Sequence, residues 1–375
     1  MDYIILSIVL SFTIVFFAIP IIIQIAKEKK LFDQPEERKI HKMVIPTLGG
    51  LGIFAGFIMS LLLSVPQSGN NSLQYFIAAF VIIFFLGIKD DLLIISASKK
   101  FVGQVVAAII LIKFAGIQIN NMNGLFGIYQ IPESASFLLS LFTIVVITNS
   151  FNLIDGIDGL AGSIGVLSTI IFGSYFYTIG EQFFAIMAFA LTGSLMGFLI
   201  YNFAPAKIFM GDTGSLIVGI INSILVIKFI SVSLTPGVAL PVSAAPAIGF
   251  AILILPLFDT LRVFAIRIFS GRSPFSPDRN HIHHKILDLG LSHKQTTFVC
   301  LSANIFIVLF SFFIKQIGTT YLLGSILMLC VAFIGIIEFV KKSKLNKAEE
   351  TRVKTEPFSK SESYLSFTKD TIEII

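Results

Sequence analysis

Tryptophan is absent from this chain of 375 residues, and cysteine occurs only twice. Without tryptophan, no belt of indole rings can mark where the chain leaves a membrane. Cys300 and Cys330 both lie in apolar runs, where buried free thiols are expected rather than a disulfide or a metal pair. Charged residues are scarce at 13%, against 55% hydrophobic residues. This composition excludes an ordinary soluble domain and is typical of membrane proteins.

Apolar runs of spanning length recur over roughly the first 340 residues. A spanning helix needs about 20 apolar residues, so the sequence predicts an all-α polytopic membrane protein with about eleven transmembrane helices. We expect residues 1–340 to form the membrane domain and residues 341–375 to form a mobile cytoplasmic tail. The predicted spans are 3–26, 47–66, 73–88, 101–118, 136–150, 161–179, 182–201, 214–233, 245–266, 297–315 and 319–340.

Lysine and arginine are missing from the loops 67–72 and 116–135, whereas the loops 27–42 and 267–294 are rich in them. Because cytoplasmic loops carry an excess of these residues, we expect the odd-numbered loops and the tail to be cytoplasmic and the N-terminus to be outside. The segment 116–135 is compatible with a short hairpin on the outer surface. The net charge of +5 reflects Lys and Arg beside the spans and does not indicate a nucleic-acid partner.

Two adjacent acids, Asp90 and Asp91, follow the third predicted span. Neighbouring carboxylates repel each other, so placing them at low dielectric is costly without a cation. A cation site is one interpretation of this pair, and a solvated helix end is the simpler one.

A second polar segment lies between the fifth and sixth predicted spans, where Asn152, Asp155 and Asp158 recur at every third residue. On a helix or helical turn, side chains three residues apart point the same way, so these three would face one spot. Gly156 and Gly159 leave the backbone open to a close ligand. The alternative is a polar loop whose Asx residues cap helices.

A third acid, Asp212, stands immediately before an apolar span and is followed by Thr213 and Ser215. Asp212 either complements the dipole at the start of that helix or holds a metal ion beside it, and the two roles are compatible.

Three histidines, His281, His283 and His284, lie within four residues and follow Arg279. No cysteine accompanies them, and the carboxylates and amides of the other loops suit Mg²⁺ or Mn²⁺ better than Zn²⁺. The imidazoles and Arg279 are alternatively suited to binding phosphate.

Taken together, these groups describe one inward-facing site with the equipment for phosphoryl transfer, in which positioning and charge stabilisation supply most of the catalysis. Because the site lies at a membrane surface, one substrate is expected to be a lipid and the other a soluble phosphate compound. A transporter or flippase of an anionic substrate is the rival class. It would place ionisable residues near the middle of the membrane, whereas these acids lie at span ends and in loops.

The order of the motifs resembles that of the polyprenyl-phosphate sugar-1-phosphate transferases, the MraY/WecA superfamily or glycosyltransferase family 4. The resemblance covers about residues 30–295, and the joint occurrence of its motifs is more specific than any single one. It rests on the segments Pro46–Gly50, Asp90–Asp91, Asn152–Gly159, Phe209–Leu216 and His281–His284.

The resemblance implies a helical bundle with cytoplasmic catalytic loops in the inner (plasma) membrane, and it allows a homodimer. The implied reaction moves an N-acetylamino-sugar 1-phosphate, by default GlcNAc-1-phosphate, from a UDP-sugar to undecaprenyl phosphate. The products are undecaprenyl-diphospho-sugar and UMP, which would initiate cell-envelope glycan synthesis. Mg²⁺ is the implied cofactor, with Mn²⁺ as an alternative.

Two branches of this family differ in the histidine motif. His-Ile-His-His after Asp278-Arg279-Asn280, together with the early Asp33…Arg38-Lys39-x-His41 pattern, is similar to the branch that uses UDP-GlcNAc. The alternative is a phospho-MurNAc-pentapeptide transferase, which usually carries three consecutive histidines after a proline.

Matching the motifs residue by residue implies the following roles. The implied metal ligands are Asp212, Asp91 and Asn152. The implied catalytic residues are Asp90, Asp91, Asp155 and His283. The implied substrate-binding residues are Lys42, Thr47, Lys100, Asn152, Asp158, Asn202, Arg279, His281 and His284.

The preferred mechanism is direct attack by the lipid phosphate on the β-phosphate of the UDP-sugar. A phosphate monoester has a second pKa of about 6, so the attacking group is mostly dianionic at neutral pH and needs little help from a base. An Asp nucleophile that forms a phospho-enzyme is the alternative.

Overall fold

The structure is a computed structural model that describes residues 2–29, 31, 45–66, 72–93, 95–271 and 280–355, without the side chains of 345 and 347–355. The described part of the first half of the chain contains helices and one two-stranded hairpin. Its elements are α1 (Asp2–Lys29), α2 (Gly49–Ser64), α3 (Leu73–Leu93), α4 (Ala97–Lys113), β1 (Asn121–Leu125), β2 (Ile128–Gln130), α5 (Glu133–Ile154) and α6 (Leu160–Thr178).

The described part of the second half contains helices joined by loops and no strand. Its elements are α7 (Gln182–Asn202), α8 (Gly211–Val232), α9 (Ala245–Ile252), α10 (Ile254–Phe269), α11 (Ile282–Leu287), α12 (His293–Phe313), a 3₁₀ turn (Lys315–Ile317) and α13 (Thr319–Thr355). The chain forms two compact units, Met1–Cys330 and Val331–Ile375, and the boundary lies inside α13. The predicted division into 1–340 and 341–375 stays a prediction. The first part of the predicted tail, up to Thr355, is helical.

Every predicted span coincides with a helix or with the pair α9–α10, which confirms the all-α polytopic class. Within the described residues, seven helices are long and apolar enough to cross a membrane, or eight if α9 and α10 form one span. These seven are α1, α5, α6, α7, α8, α12 and the Thr319–Lys344 part of α13. Since α2 and α4 have only 16 and 17 residues and α3 is not in this group, eleven crossings and an outside N-terminus stay predictions.

The ninth predicted span, 245–266, is not one straight helix. It is divided at Leu253 into α9 and α10, which meet at 87°. Pro256 stands in the first turn of α10 and has no N–H to offer to the carbonyl of Ile252, so a continuous helix would lose a hydrogen bond there. The break turns α10 away from the direction of α9.

The hairpin expected within 116–135 is present. β1 and β2 pair antiparallel, with Asn121 opposite Gln130 and Leu125 opposite Ile128. Thr319 donates a hydrogen bond to the carbonyl of Asn123, so the hairpin is tied to the start of α13. It lies between α4 and α5, at the ends of these helices opposite Lys100 and Asn152.

Helix α8 forms the core of the first unit. Almost every side chain from Thr213 to Ile230 is buried, and α2, α3, α5 and α6 pack around it. Two glycines allow backbones to meet at its first turn. A Cβ on Gly50 would lie 2.1 Å from the backbone nitrogen of Gly214, and a Cβ on Gly87 would lie 2.4 Å from the Cα of Thr213. Glycine at positions 50 and 87 therefore allows α2 and α3 to approach the first turn of α8 closely.

Backbone hydrogen bonds join the start of α2 to the segment before α8. The N–H of Phe209 donates to the carbonyl of Pro46 at 2.8 Å, and the N–H groups of Gly49 and Gly50 donate to the carbonyls of Phe209 and Met210 at 2.9 and 2.8 Å. Two motifs that are some 160 residues apart in the sequence are thus held side by side.

Candidate active site

A cleft of about 650 Å³ opens where α3 and α5 end and α4 and α8 begin. Nine of the fourteen predicted site residues line it: Thr47, Asp90, Asp91, Lys100, Asn152, Asp155, Asp158, Asn202 and Asp212. The structure therefore gathers residues from six separate segments into one site. Lys42 and Arg279 lie outside the described residues.

Three oxygen atoms from three helices meet at the ammonium of Lys100. Its Nζ lies 2.9 Å from Asp90 Oδ2, 3.1 Å from Asp212 Oδ1 and 3.3 Å from Asn152 Oδ1. α3, α8 and α5 each supply one of these oxygens, while α4 supplies the lysine. The cleft thus concentrates negative charge at one point, where Lys100 balances it.

The structure distinguishes the two adjacent acids. Asp91 accepts hydrogen bonds from the backbone N–H groups of Asp212 and Thr213 at 2.6 and 3.0 Å, and from the Thr213 hydroxyl. The first N–H groups of a helix need such acceptors, and no residue at the start of α8 supplies one from its own side chain. Asp91 thus caps α8, and neither of its oxygens is among the three that surround Lys100.

Asp90 faces the other way. Its Oδ2 pairs with Lys100, and its Oδ1 accepts a hydrogen bond from the backbone N–H of Ile95 at 2.8 Å. The bond to Ile95 holds the loop between α3 and α4 and turns the second oxygen into the cleft. The resemblance implies that Asp91 is a metal ligand. The geometry favours Asp90 for this role instead, because Asp90 faces the cleft and Asp91 faces the start of α8.

Asn152, Asp155 and Asp158 do not lie on one helix, because α5 ends at Ile154. Asn152 is in its last turn, and its amide donates to Asp212 and, at 2.9 Å, to the hydroxyl of Ser215. Asp155 and Asp158 belong to the turn before α6. All three side chains nevertheless line the cleft, so the expected convergence holds although the helix does not continue.

The pKa of Asp155 is raised well above its usual range. Burial penalises the charged carboxylate, and the negative charges of Asp212, Asp91 and Asp158 add to the effect. Asp155 therefore keeps a proton to higher pH than a free aspartate does.

Asn202 braces the loops around the cleft. Its side chain is buried, its oxygen accepts a hydrogen bond from the N–H of Gly159, and its amide donates to the carbonyl of Ile208, both at 2.9 Å. Asp158 adds a further link, because its carboxylate accepts from the N–H of Ala206 at 3.1 Å. These contacts fix the turn before α6 against the segment that leads into α8.

The histidine segment lies behind the cleft and does not line it. His281 and His283 are 5% and 2% exposed, and His284 packs beside His283, with ring centroids 4.4 Å apart. Burial lowers the pKa of His283 to about 3, so this ring is neutral near pH 7. Because a neutral, buried imidazole is a poor partner for phosphate, the geometry favours a supporting position for His283 over the catalytic role implied by the resemblance.

Sequence reasoning missed three residues near the cleft. His293, whose side chain is 47% exposed, lines the cleft, and its Nδ1 lies 3.4 Å from Asp158 Oδ1. The sequence feature that could have drawn attention to His293 is the neighbouring Ser292-x-x-Gln295 capping box, which marks the start of α12. Asp259 and Arg262, which contact the histidine segment, gave only a weak signal, an Asp and an Arg one turn apart in an otherwise apolar run.

Known proteins share this sequence pattern. The profile of glycosyl transferase family 4 matches residues 73–230. The chain is 33% identical over 340 residues to a probable undecaprenyl-phosphate N-acetylglucosaminyl 1-phosphate transferase of Bacillus subtilis, over 89% of this chain and 91% of that protein. It is 30% identical over 277 residues to the undecaprenyl-phosphate alpha-N-acetylglucosaminyl 1-phosphate transferase of Escherichia coli, over 72% of this chain and 73% of that protein.

A polytopic helical bundle with an acidic cleft and relatives of this similarity define the class: the chain belongs to glycosyl transferase family 4, the MraY/WecA superfamily. Within that superfamily it falls in the WecA-like branch, and it is a phosphotransferase of the multi-pass membrane type. The expected family and branch are thus confirmed, and the transporter interpretation is not supported. The roles of the individual site residues stay predictions.

Proposed function

We propose that this enzyme transfers GlcNAc-1-phosphate from UDP-GlcNAc to undecaprenyl phosphate and releases UMP. The relatives' names supply the lipid and the sugar phosphate. The observation that carries the proposal for this chain is the meeting of Asp90, Asp212 and Asn152 around Lys100 in a cleft large enough for a nucleotide diphosphate group. We place this cleft at the cytoplasmic face of the inner membrane, where a UDP-sugar is supplied.

The donor set fits a hard divalent cation such as Mg²⁺. Carboxylate and amide oxygens are its preferred ligands, and Mg²⁺ commonly binds one or two carboxylates together with substrate phosphates. Among the described residues, no three His, Cys, Asp or Glu side chains form a metal cluster on their own. Asp90, Asp212 and Asn152 would hold the ion jointly with phosphate oxygens, and bound Mg²⁺ would neutralise charge on the diphosphate.

The reaction needs no net proton transfer. An oxygen of the dianionic lipid phosphate forms a bond to the β-phosphorus of the UDP-sugar. The bond from that phosphorus to the bridging oxygen breaks, and its electron pair leaves on UMP. Lys100 can place positive charge beside the phosphates, and the fixed charges of the cleft stabilise the transition state without rearrangement.

The geometry speaks against Asp91 as a covalent nucleophile. Both of its oxygens already accept hydrogen bonds from the start of α8, so attack on phosphorus would remove the cap of that helix. Direct transfer remains the preferred mechanism, because the dianionic lipid phosphate needs little help from a base. Sequential initial-rate kinetics are expected, and ping-pong kinetics would indicate a phospho-enzyme instead.

The test is UMP release by the purified protein in detergent with undecaprenyl phosphate and Mg²⁺. Parallel reactions would contain UDP-GlcNAc, UDP-GalNAc or UDP-MurNAc-pentapeptide. We expect release with UDP-GlcNAc that needs both the lipid and Mg²⁺. Turnover with UDP-MurNAc-pentapeptide alone would contradict the proposed sugar.

The matched variant is Asp212→Asn, which keeps the shape of the side chain and removes its charge. We expect this variant to fold, as judged by its thermal unfolding midpoint, but to lose Mg²⁺-dependent turnover. Near-normal turnover would remove Asp212 from the metal site.

A further inference from the structure

A buried acid outside the cleft holds the start of the histidine segment. Asp259, on α10, is 3% exposed. Its carboxylate accepts hydrogen bonds from Arg262 Nη2 at 2.9 Å, from His281 Nδ1 at 2.9 Å and from the backbone N–H of Ile282 at 3.0 Å. Arg262 also donates to the carbonyl of Asn280. Two side chains of α10 therefore hold three consecutive residues, 280–282.

This arrangement fixes both the ring of His281 and the backbone of Ile282. A buried carboxylate is tolerated only when it is paired and hydrogen-bonded, and here all three donors are in place. Because the Nδ1 atom of His281 faces the carboxylate, it carries the proton, and the ring orientation is set. The bond to Ile282 sets the direction in which α11 leaves.

The next residue connects this contact to the cleft. His283 is 2% exposed, and a Cβ on Gly156 would lie 2.5 Å from His283 Nε2. Gly156 belongs to the turn that carries Asp155 and Asp158, and this turn lines the cleft. The His283 ring thus packs against the backbone of the turn at Gly156, so closely that a larger residue at that position would have to displace one of them.

We propose that Asp259 is a positioning residue of this enzyme. Through His281 and Ile282 it holds His283 against Gly156, and His283 in turn holds the carboxyl groups of Asp155 and Asp158 at their places in the cleft. Asp259 does not line the cleft and is not a catalytic residue. The inference deepens the proposed function, on which only its activity measurement depends.

The first test needs no turnover. Asp259→Asn preserves the side-chain shape but replaces one acceptor oxygen with an amide donor that would face another N–H group. We expect faster deuterium uptake in the peptides that cover 153–160 and 280–287 of the purified protein. The control is Ser60→Ala, which removes a buried hydrogen bond to the Ser7 carbonyl between α1 and α2. Unchanged uptake over 153–160 in Asp259→Asn would overturn the inference.

The second test is kinetic. Displacement of positioned groups lowers the rate of the chemical step more than it weakens binding, so we expect Asp259→Asn to lower kcat by about tenfold or more with little change in KM for the lipid. If Asp259 acts through His281, then Asp259→Asn combined with His281→Gln should be no slower than the slower single variant. Strictly additive losses, or a change confined to KM, would contradict the proposal.

The two tests distinguish failure of the proposed function from failure of the positioning role. If the wild-type enzyme releases no UMP, the proposed function fails while the deuterium experiment still tests the positioning role. If Asp259→Asn does not fold, Arg262→Gln removes the contact to Asn280 and is measured in the same two ways. Wild-type turnover and uptake in Arg262→Gln would then overturn the inference.

Discussion

At the scale of single residues, the adjacent acids Asp90 and Asp91 perform different tasks. Asp91 caps α8, and Asp90 shares Lys100 with Asp212. Their identical chemistry and neighbouring positions hide this difference in the sequence. It arises because consecutive residues on a helix point about 100° apart, so one side chain meets α8 while the other meets α4.

Removing the cap should cost stability. We expect Asp91→Ala to lower the free energy of unfolding by about 1–2 kcal/mol, because helix N–H groups lose their acceptor. Asp90→Ala removes one bond to a backbone N–H and the ion pair with Lys100, but Lys100 keeps Asp212 and Asn152 as partners, so this variant should cost less. Thermal unfolding of both variants in the same detergent is the measurement. An equal shift of the two unfolding midpoints would contradict the distinction.

Lys100 should affect metal binding and turnover in opposite directions. Its ammonium occupies the point where the proposed metal ligands meet, so Lys100→Met should strengthen Mn²⁺ binding, measured by electron paramagnetic resonance. The same variant should lower the rate of UMP release by about a hundredfold, since it removes a charge at the phosphates. Lys99→Met is the control, because Lys99 is exposed and outside the cleft. Weaker Mn²⁺ binding in Lys100→Met would contradict this prediction.

His283 should make the protein sensitive to acid. Its pKa is about 3 in the folded protein and 6.5 when unperturbed, so between these values the unfolded chain binds a proton that the folded protein does not. Stability is therefore lost as the pH falls below 6.5, by up to about 1.4 kcal/mol per pH unit for this one group. His283→Gln should flatten the dependence of the unfolding midpoint between pH 6.5 and 4.5. If the unfolding midpoint of His283→Gln depends on pH as steeply as that of the wild type, this prediction is wrong.

At the scale of elements, the close contact of α3 with α8 depends on Gly87. A methyl group there would lie 2.4 Å from the Cα of Thr213, and a backbone atom cannot move aside as the end of a side chain can. We expect Gly87→Ala to cost about 1–3 kcal/mol of stability and to reduce turnover, because it displaces Asp212. Thermal unfolding and UMP release measure the two effects.

The control for Gly87→Ala lies on the facing helix. A methyl group on Gly103 of α4 would meet only the flexible end of the Leu86 side chain, at 3.0 Å. Gly103→Ala should therefore retain most of the stability and turnover. If the two alanine variants behave alike, backbone contact is not what makes Gly87 necessary.

Much of this element arrangement could be predicted, because apolar runs separated by polar loops determine where helices begin and end. The positions of Asp90, Asp155 and Asp212 followed from motifs at those ends. The break between α9 and α10 was not predicted, since apolar residues continue across it and only Pro256 hints at it. Asp259 was missed because its partner His281 is 22 residues away, and a single sequence does not show such contacts.

At the scale of the whole molecule, the cleft and the hairpin lie at opposite ends of α4 and α5. If the cleft is cytoplasmic, Tyr129→Cys in the hairpin should react with a membrane-impermeant thiol reagent in intact cells. Lys99→Cys should react only after the membrane is opened. The native Cys300 and Cys330 are buried and should contribute little background. Labelling of Lys99→Cys in intact cells would reverse the orientation.

Because α8 is enclosed by helices that precede it in the chain, its burial bears on how the protein is made. The ribosome releases α2 and α3 well before α8, so during synthesis the glycine faces at Gly50 and Gly87 lack the backbone that fills them in the finished protein. The partner segments 46–50 and 209–210 are likewise separated until α7 has emerged. A nascent chain therefore carries every aspartate of the α3 and α5 ends before α8 brings Asp212 to join them in the cleft.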